Sequence, residues 1–115
     1  MSPSRSTLAI IINNTSLTLN LQTDSVDHGE WSQSLSPPTI IGPHSRGQLQ
    51  AESDGLWTGD EGSVYYGSDA GTFYFQFDNP YSGSNSYDQT APAGYTIDRS
   101  GGGGDNAAVT WTISM

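Results

Sequence analysis

Thr72-Phe73-Tyr74-Phe75-Gln76-Phe77-Asp78 places a phenylalanine at every second position. In an extended chain successive side chains point to opposite faces. Phe73, Phe75 and Phe77 therefore share one face, and Tyr74, Gln76 and Asp78 share the other. This is the pattern of a β-strand with one face in a core. The run stops at Asn79-Pro80-Tyr81-Ser82-Gly83-Ser84-Asn85, a cluster of turn formers.

The same reading extends outward in both directions. Upstream, Ser68-Asp69-Ala70-Gly71 returns the chain from a strand over residues 63–66 that contains Val64. Downstream, strands are expected over residues 95–99 and 107–113, joined by the glycine-rich turn at residues 101–104. In the second of these Ala107, Val109, Trp111 and Ile113 share a face. Residues 7–12 are β-branched and apolar and read as a strand buried on both faces. Asn13-Asn14-Thr15 is a turn, and Leu17, Leu19 and Leu21 alternate with polar residues beyond it. The two strands flanking this turn are expected to form a hairpin. Shorter strands are expected over residues 30–35, around Trp31, and over residues 48–52. Between them Pro37-Pro38 and Gly42-Pro43 break the chain.

No long window has helical periodicity. About eight short strands at turn spacing predict an all-β chain, an antiparallel β-sandwich. Its core should hold Val64, Phe73, Phe75, Phe77, Val109, Trp111, Ile113, Leu17, Leu19 and Leu21. With 115 residues there is room for one domain. Residues 1–6 are expected to be a flexible end and residues 7–115 a single sandwich domain.

Charge narrows the function classes. Arg5, Arg46 and Arg99 are the only strong cations, lysine is absent, and the formal net charge is -9. Phosphate backbones are bound by clustered cations, so nucleic acid is not the expected partner. Attraction to anionic lipid is excluded by the same argument. A neutral or zwitterionic membrane surface, a glycan or a basic protein all remain open. There is no cysteine, hence neither a disulfide framework nor thiolate chemistry. The apolar run at residues 8–12 is too short for a signal-peptide core. The expected location is the cytoplasm or an intracellular inclusion, or release by a non-classical route.

Catalytic and metal chemistry find little support. His28 and His44 lack zinc-ligand spacing. Asp54, Asp60, Glu61 and Asp69 fall in turns without calcium-loop spacing, and acids in glycine-rich turns ordinarily cap those turns. No nucleophile-elbow motif is present. The glycine-rich turn lacks the lysine and following helix of a phosphate loop. The chain is read as a non-enzyme, with no cofactor and no metal. The aromatic residues say more. Trp31, Trp57, Tyr66, Tyr81 and Tyr87 lie in or beside loops, outside the core-facing sets. Their rings pair an apolar body with a polar tip, which suits a membrane or protein interface.

Several stretches resemble the aegerolysin family. They are Asn13-Asn14-Thr15 through Leu19, then His28-Gly29-Glu30-Trp31, then the segment from Ala51 to Tyr66 that contains Asp54-Gly55-Leu56-Trp57-Thr58-Gly59-Asp60-Glu61-Gly62. Phe77-Asp78-Asn79-Pro80-Tyr81 and the glycine-rich turn before Val109-Thr110-Trp111 complete the set. The nearest branch is the small subunit of the binary insecticidal crystal toxins. The resemblance implies an actinoporin-like sandwich that binds membranes, and a pore-forming function, insecticidal or haemolytic, exercised with a larger protein partner. It implies a zwitterionic or sphingolipid headgroup as ligand. In mushroom members a tryptophan stands where this chain has His28, another falls on Tyr81, and an acidic lipid-recognition position falls near Trp57. The expected lipid-binding residues are thus His28, Trp31, Trp57, Tyr66, Tyr81 and Tyr87. The alternative is a soluble glycan-binding or self-assembling module without pore formation. Homo-oligomers remain open under either reading.

Overall fold

A computed structural model describes residues 3–115. The strands are β1 (Ser6–Asn13), β2 (Leu19–His28), β3 (Glu30–Trp31), β4 (Ile40–Ile41), β5 (Arg46–Glu52), β6 (Asp60–Ser68), β7 (Gly71–Asn79), β8 (Ser86–Thr90), β9 (Thr96–Gly101) and β10 (Asn106–Ser114). They form two five-stranded sheets, ordered β3-β5-β1-β10-β9 and β4-β2-β6-β7-β8. No helix occurs among the described residues. The expected all-β sandwich is borne out.

Alternation explains the packing. Along β7, Phe73, Phe75 and Phe77 are buried and Tyr74, Gln76 and Asp78 half-buried. Along β10, Ala107, Val109, Trp111 and Ile113 face inward. The Phe75 and Trp111 rings meet across the sandwich with centroids 5.1 Å apart. Each fully buried Phe contributes about 1.5–3 kcal/mol relative to exposure. Trp111 satisfies its indole N–H by donating to Gln89 Oε1 at 3.1 Å. Of the expected core, Leu17 and Leu21 are half-buried and pack against its edge.

The N-terminal strand departs from expectation in three ways. It is not buried on both faces: Thr7, Ala9, Ile11 and Asn13 point inward, and the residues between them are half-exposed. It does not pair with the leucine strand. β1 lies between β5 and β10 in the first sheet, while β2 belongs to the second. The turn at residues 13–15 therefore crosses between sheets. Asn13 holds the crossing, donating through Nδ2 to the carbonyls of Leu17 and Gly42, both at 2.9 Å. Finally, β1 and β10 run parallel, with Ser6 opposite Asn106 and Asn13 opposite Ile113.

A flexible end is expected over residues 1–6, yet Ser6 already belongs to a strand. Met1 and Ser2 lie outside the described residues. Ser6 opens β1, and the Arg5 N–H donates to Ser53 Oγ at 3.1 Å.

Candidate functional site

The start of β1, the ends of β2, β5 and β7, and the starts of β6 and β10 meet at one end of the sandwich. The registers show this: Ser6 lies opposite both Glu52 and Asn106, Asp60 opposite Asn79, and His28 opposite Glu61. Two loops extend from this end, residues 53–59 and 80–85.

The first loop is a tight turn with an apolar tip. The Thr58 hydroxyl donates to the Gly55 carbonyl at 2.8 Å and closes it. Leu56 and Trp57 stand at the tip, 78% and 73% exposed. Trp57 has φ 61°, a left-handed conformation that turns ordinarily give to glycine or asparagine. A bulky residue held there carries about 1–3 kcal/mol of local strain. Gly59 then lets the turn descend against the second loop. A Cβ at this position would sit 2.7 Å from Pro80 Cα and 2.8 Å from the Tyr81 nitrogen.

Tyr81 supports the tip from the second loop. Its ring meets Trp57 edge-on, centroids 5.3 Å apart. The Arg5 guanidinium lies 4.6 Å from the centroid of the same ring and donates to the Tyr81 carbonyl at 2.6 Å. Arg5 also faces Asp105 at 3.6 Å. Asn85 ties the loop to the glycine-rich turn, donating to the carbonyls of Gly102 and Gly104 at 2.9 Å each.

Beneath the tip lies an open cleft of about 360 Å³ lined by His28, Trp57, Asp60, Glu61, Asp78 and Tyr81, among others. His28 is largely exposed and its Nε2 is 3.6 Å from Glu61 Oε1. Asp60 is only 1% exposed. Burial, with a smaller contribution from Asp78, raises its pKa to about 6, against the pull of the nearby Thr7 hydroxyl. Apolar rings over a carboxylate-lined floor suit a ligand with a cationic group: the ring faces attract cations and the acids repel anions.

The six expected contact residues separate into two sets. His28, Trp57 and Tyr81 are brought together on the cleft. Trp31 lies at the same end, but its ring packs edge-on against Phe77 at 6.0 Å and its indole donates to Asp24 Oδ1 at 3.0 Å. Tyr87 is half-buried, with its ring edge-on to Trp111 at 6.1 Å and its hydroxyl donating to the Gly102 carbonyl at 2.8 Å. Tyr66 is a correction. It is fully buried, and its hydroxyl donates to the Pro38 carbonyl at 2.7 Å. Burial pushes its phenol pKa far up. A side chain without exposed surface does not touch a membrane. Tyr66 shares the parity of Val64, already placed in the core, and that parity was the signal for its burial. Leu56 and Asp60 were not among the expected site residues.

No protein-family model matches the chain. An uncharacterized protein of Dictyostelium discoideum is 32% identical over 114 residues, covering 96% of this chain. The chain spans about a tenth of that protein's length. Among solved structures, the lipid-binding protein Nakanori superposes with a TM-score of 0.84, covering all of this chain and 72% of its own, at 13% identity. The chain has the Nakanori fold. At that identity, what is common to Nakanori and this chain is the course of the backbone, so the chemistry of the cleft rests on the residues described above.

Proposed function

We propose that this chain is a lipid-binding module that meets the membrane with the loop tip at Leu56 and Trp57. The observation that carries the reading is this exposed apolar pair, held in a strained turn and supported by Tyr81 over an acid-lined cleft. The two side chains enter the headgroup layer. The ammonium of a zwitterionic or sphingolipid head then lies against the Trp57 and Tyr81 rings, facing Glu61 and Asp78. His28 stands at the rim of the same cleft. The fold of Nakanori, a lipid-binding protein, supports this reading.

The test is co-sedimentation with vesicles of phosphatidylcholine, phosphatidylethanolamine or sphingomyelin. The expected result is binding to at least one composition, lost in Trp57→Ala. Retention of full binding by a Leu56→Ala/Trp57→Ala double variant would falsify the placement of the contact surface.

The resemblance in sequence extends the proposal. As the small component of a two-component pore-forming toxin, the chain recognises lipid and a larger protein partner perforates the bilayer. The chain alone should then bind vesicles without releasing trapped dye. Dye release by the chain alone would remove the need for a partner.

One observation favours glycan binding as a second reading. Tyr65 and Tyr74 lie side by side on the outer face of the second sheet, centroids 4.7 Å apart and planes tilted by 42°, and Tyr65 is 40% exposed. Capture on a glycan array that is abolished by Tyr65→Ala, together with absence of vesicle binding, would select this reading.

A further inference from the structure

Behind the cleft lie four buried oxygen atoms without hydrogen-bond partners among the described residues: Thr7 Oγ1, both carboxyl oxygens of Asp60, and Asn79 Oδ1. None of the three residues is more than 1% exposed. They bridge the sandwich. Thr7 belongs to β1 in the first sheet, while Asp60 and Asn79 lie opposite each other on β6 and β7 in the second.

The orientation of Asn79 is fixed. Its Nδ2 donates to the carbonyls of Ser6 at 3.0 Å and Asp105 at 2.9 Å. Both amide hydrogens are thereby used, and Oδ1 is left as an acceptor. If Asp60 is ionised, the patch contains three pure acceptor atoms and one hydrogen, that of the Thr7 hydroxyl. One hydrogen does not serve three acceptors, and a buried charge left unpaired is costly. A proton on Asp60 completes the network. In the protonated form the carboxyl would donate to Asn79 Oδ1, on the residue opposite it in the β6–β7 ladder, and the neighbouring Thr7 hydroxyl would donate to the other carboxyl oxygen.

We propose that Asp60 takes up a proton in the folded protein in mildly acidic solution and that this proton latches the two sheets together at the root of the Trp57–Tyr81 rim. The latch goes beyond the lipid reading and does not depend on it. The charges around it favour the neutral form. Glu61 on β6 and Asp78 on β7 are both acidic, and Glu52 ends β5 in the first sheet. His28 on β2 faces Glu61, and Arg5 ahead of β1 faces Asp105. Tyr87 on β8 is near enough for Asp60 to help raise its phenol pKa, though burial raises it most. Among the described residues no cation is paired with Asp60.

The direction of the pH effect follows. The folded protein holds this proton more tightly than the unfolded chain, since burial lifts the carboxyl from 3.8 to about 6. The latch is complete below about pH 4 and is lost as pH rises through about 6.

The experiment compares thermal unfolding of the wild type and Asp60→Asn between pH 4.5 and 7.5, without lipid, and follows the Asp60 carboxyl of the wild type by carbon NMR. The substituted amide donates to Asn79 Oδ1 at every pH. The variant's midpoint should exceed the wild type's by about 3–6 °C at pH 7.5, with the gap closing toward pH 4.5. The carboxyl resonance should titrate near pH 6. A midpoint difference that does not change with pH overturns the proposal, and so does a resonance titrating below pH 4.5. If millimolar calcium raises the wild-type midpoint at pH 7.5 but not the variant's, the oxygens hold a metal ion instead, and the latch is overturned. Should the variant fail to fold, the resonance alone decides. Vesicle binding enters none of these readouts, so this result and the lipid result stand or fall separately.

Discussion

The Trp57 indole meets the Tyr81 ring edge-on with centroids 5.3 Å apart, and the Arg5 guanidinium lies 4.6 Å from the centroid of the same Tyr81 ring. Tyr81 therefore joins an exposed loop tip to the chain segment just ahead of β1. The tip is largely exposed, and this separates the residues proposed to meet lipid from those that hold them in place.

Trp57→Ala and Leu56→Ala remove surface that contacts little within the fold. Each should leave the thermal midpoint within about 2 °C of wild type, as for other surface substitutions. Vesicle affinity should fall about tenfold or more, the loss expected for about 1.4 kcal/mol of aromatic or leucine insertion. Sedimentation titrations beside a melting curve check both.

Tyr66→Phe should do the reverse. It removes a buried hydroxyl and leaves the Pro38 carbonyl without its donor, costing about 1–3 kcal/mol. Vesicle binding per folded molecule should not change. Urea unfolding measured alongside sedimentation separates the two effects.

Trp111→Ala should cost about 3–5 kcal/mol, from the lost apolar surface and the cavity that remains. It also leaves the Gln89 side chain without its indole donor. Chemical denaturation with tryptophan fluorescence from Trp31 and Trp57 reports the loss.

Adding phosphatidylserine to neutral vesicles should weaken binding or leave it unchanged. The chain carries a formal charge of -9, and Glu61 and Asp78 line the cleft. An anionic surface repels such a rim, and salt should reduce the repulsion. Tighter binding with increasing phosphatidylserine at low salt would contradict the headgroup assignment.

Local alternation made the interior legible. Phe73, Phe75 and Phe77 and the inward set of β10 could be placed because period 2 leaves no choice of face. Pairing was less legible. The turn at Asn13 reads like a hairpin, yet Asn13 bonds to Gly42, and nothing at residues 13–15 announces that distant carbonyl. The two-residue β4 and the polar β8 fall below any periodic signal; their strand conformation comes from the neighbours they pair with. Within the candidate site, Trp57 and Tyr81 were legible as aromatic side chains in turn-rich sequence, and His28 came from the family resemblance; the structure brings the three together on one cleft. Asp60 was read as a turn residue because Gly59 and Gly62 flank it. Extending the β6 alternation back through Gly62 from Val64 and Tyr66 would have turned it inward.

The parallel pairing of β1 and β10 has a mechanical consequence. The chain enters β1 at one end of the sandwich and leaves β10 at the other, about 27–30 Å away for strands of this length. A tension applied through the two termini runs along this pair and loads its eight-residue register in shear. In such a geometry the ladder bonds share the force and must fail together; an antiparallel hairpin pulled from its open end would peel one bond at a time. The fold is thus built to resist stretching along the direction of these two strands. Wherever it is tethered at both ends, its lifetime under load is set by the rate at which these two strands slide past each other.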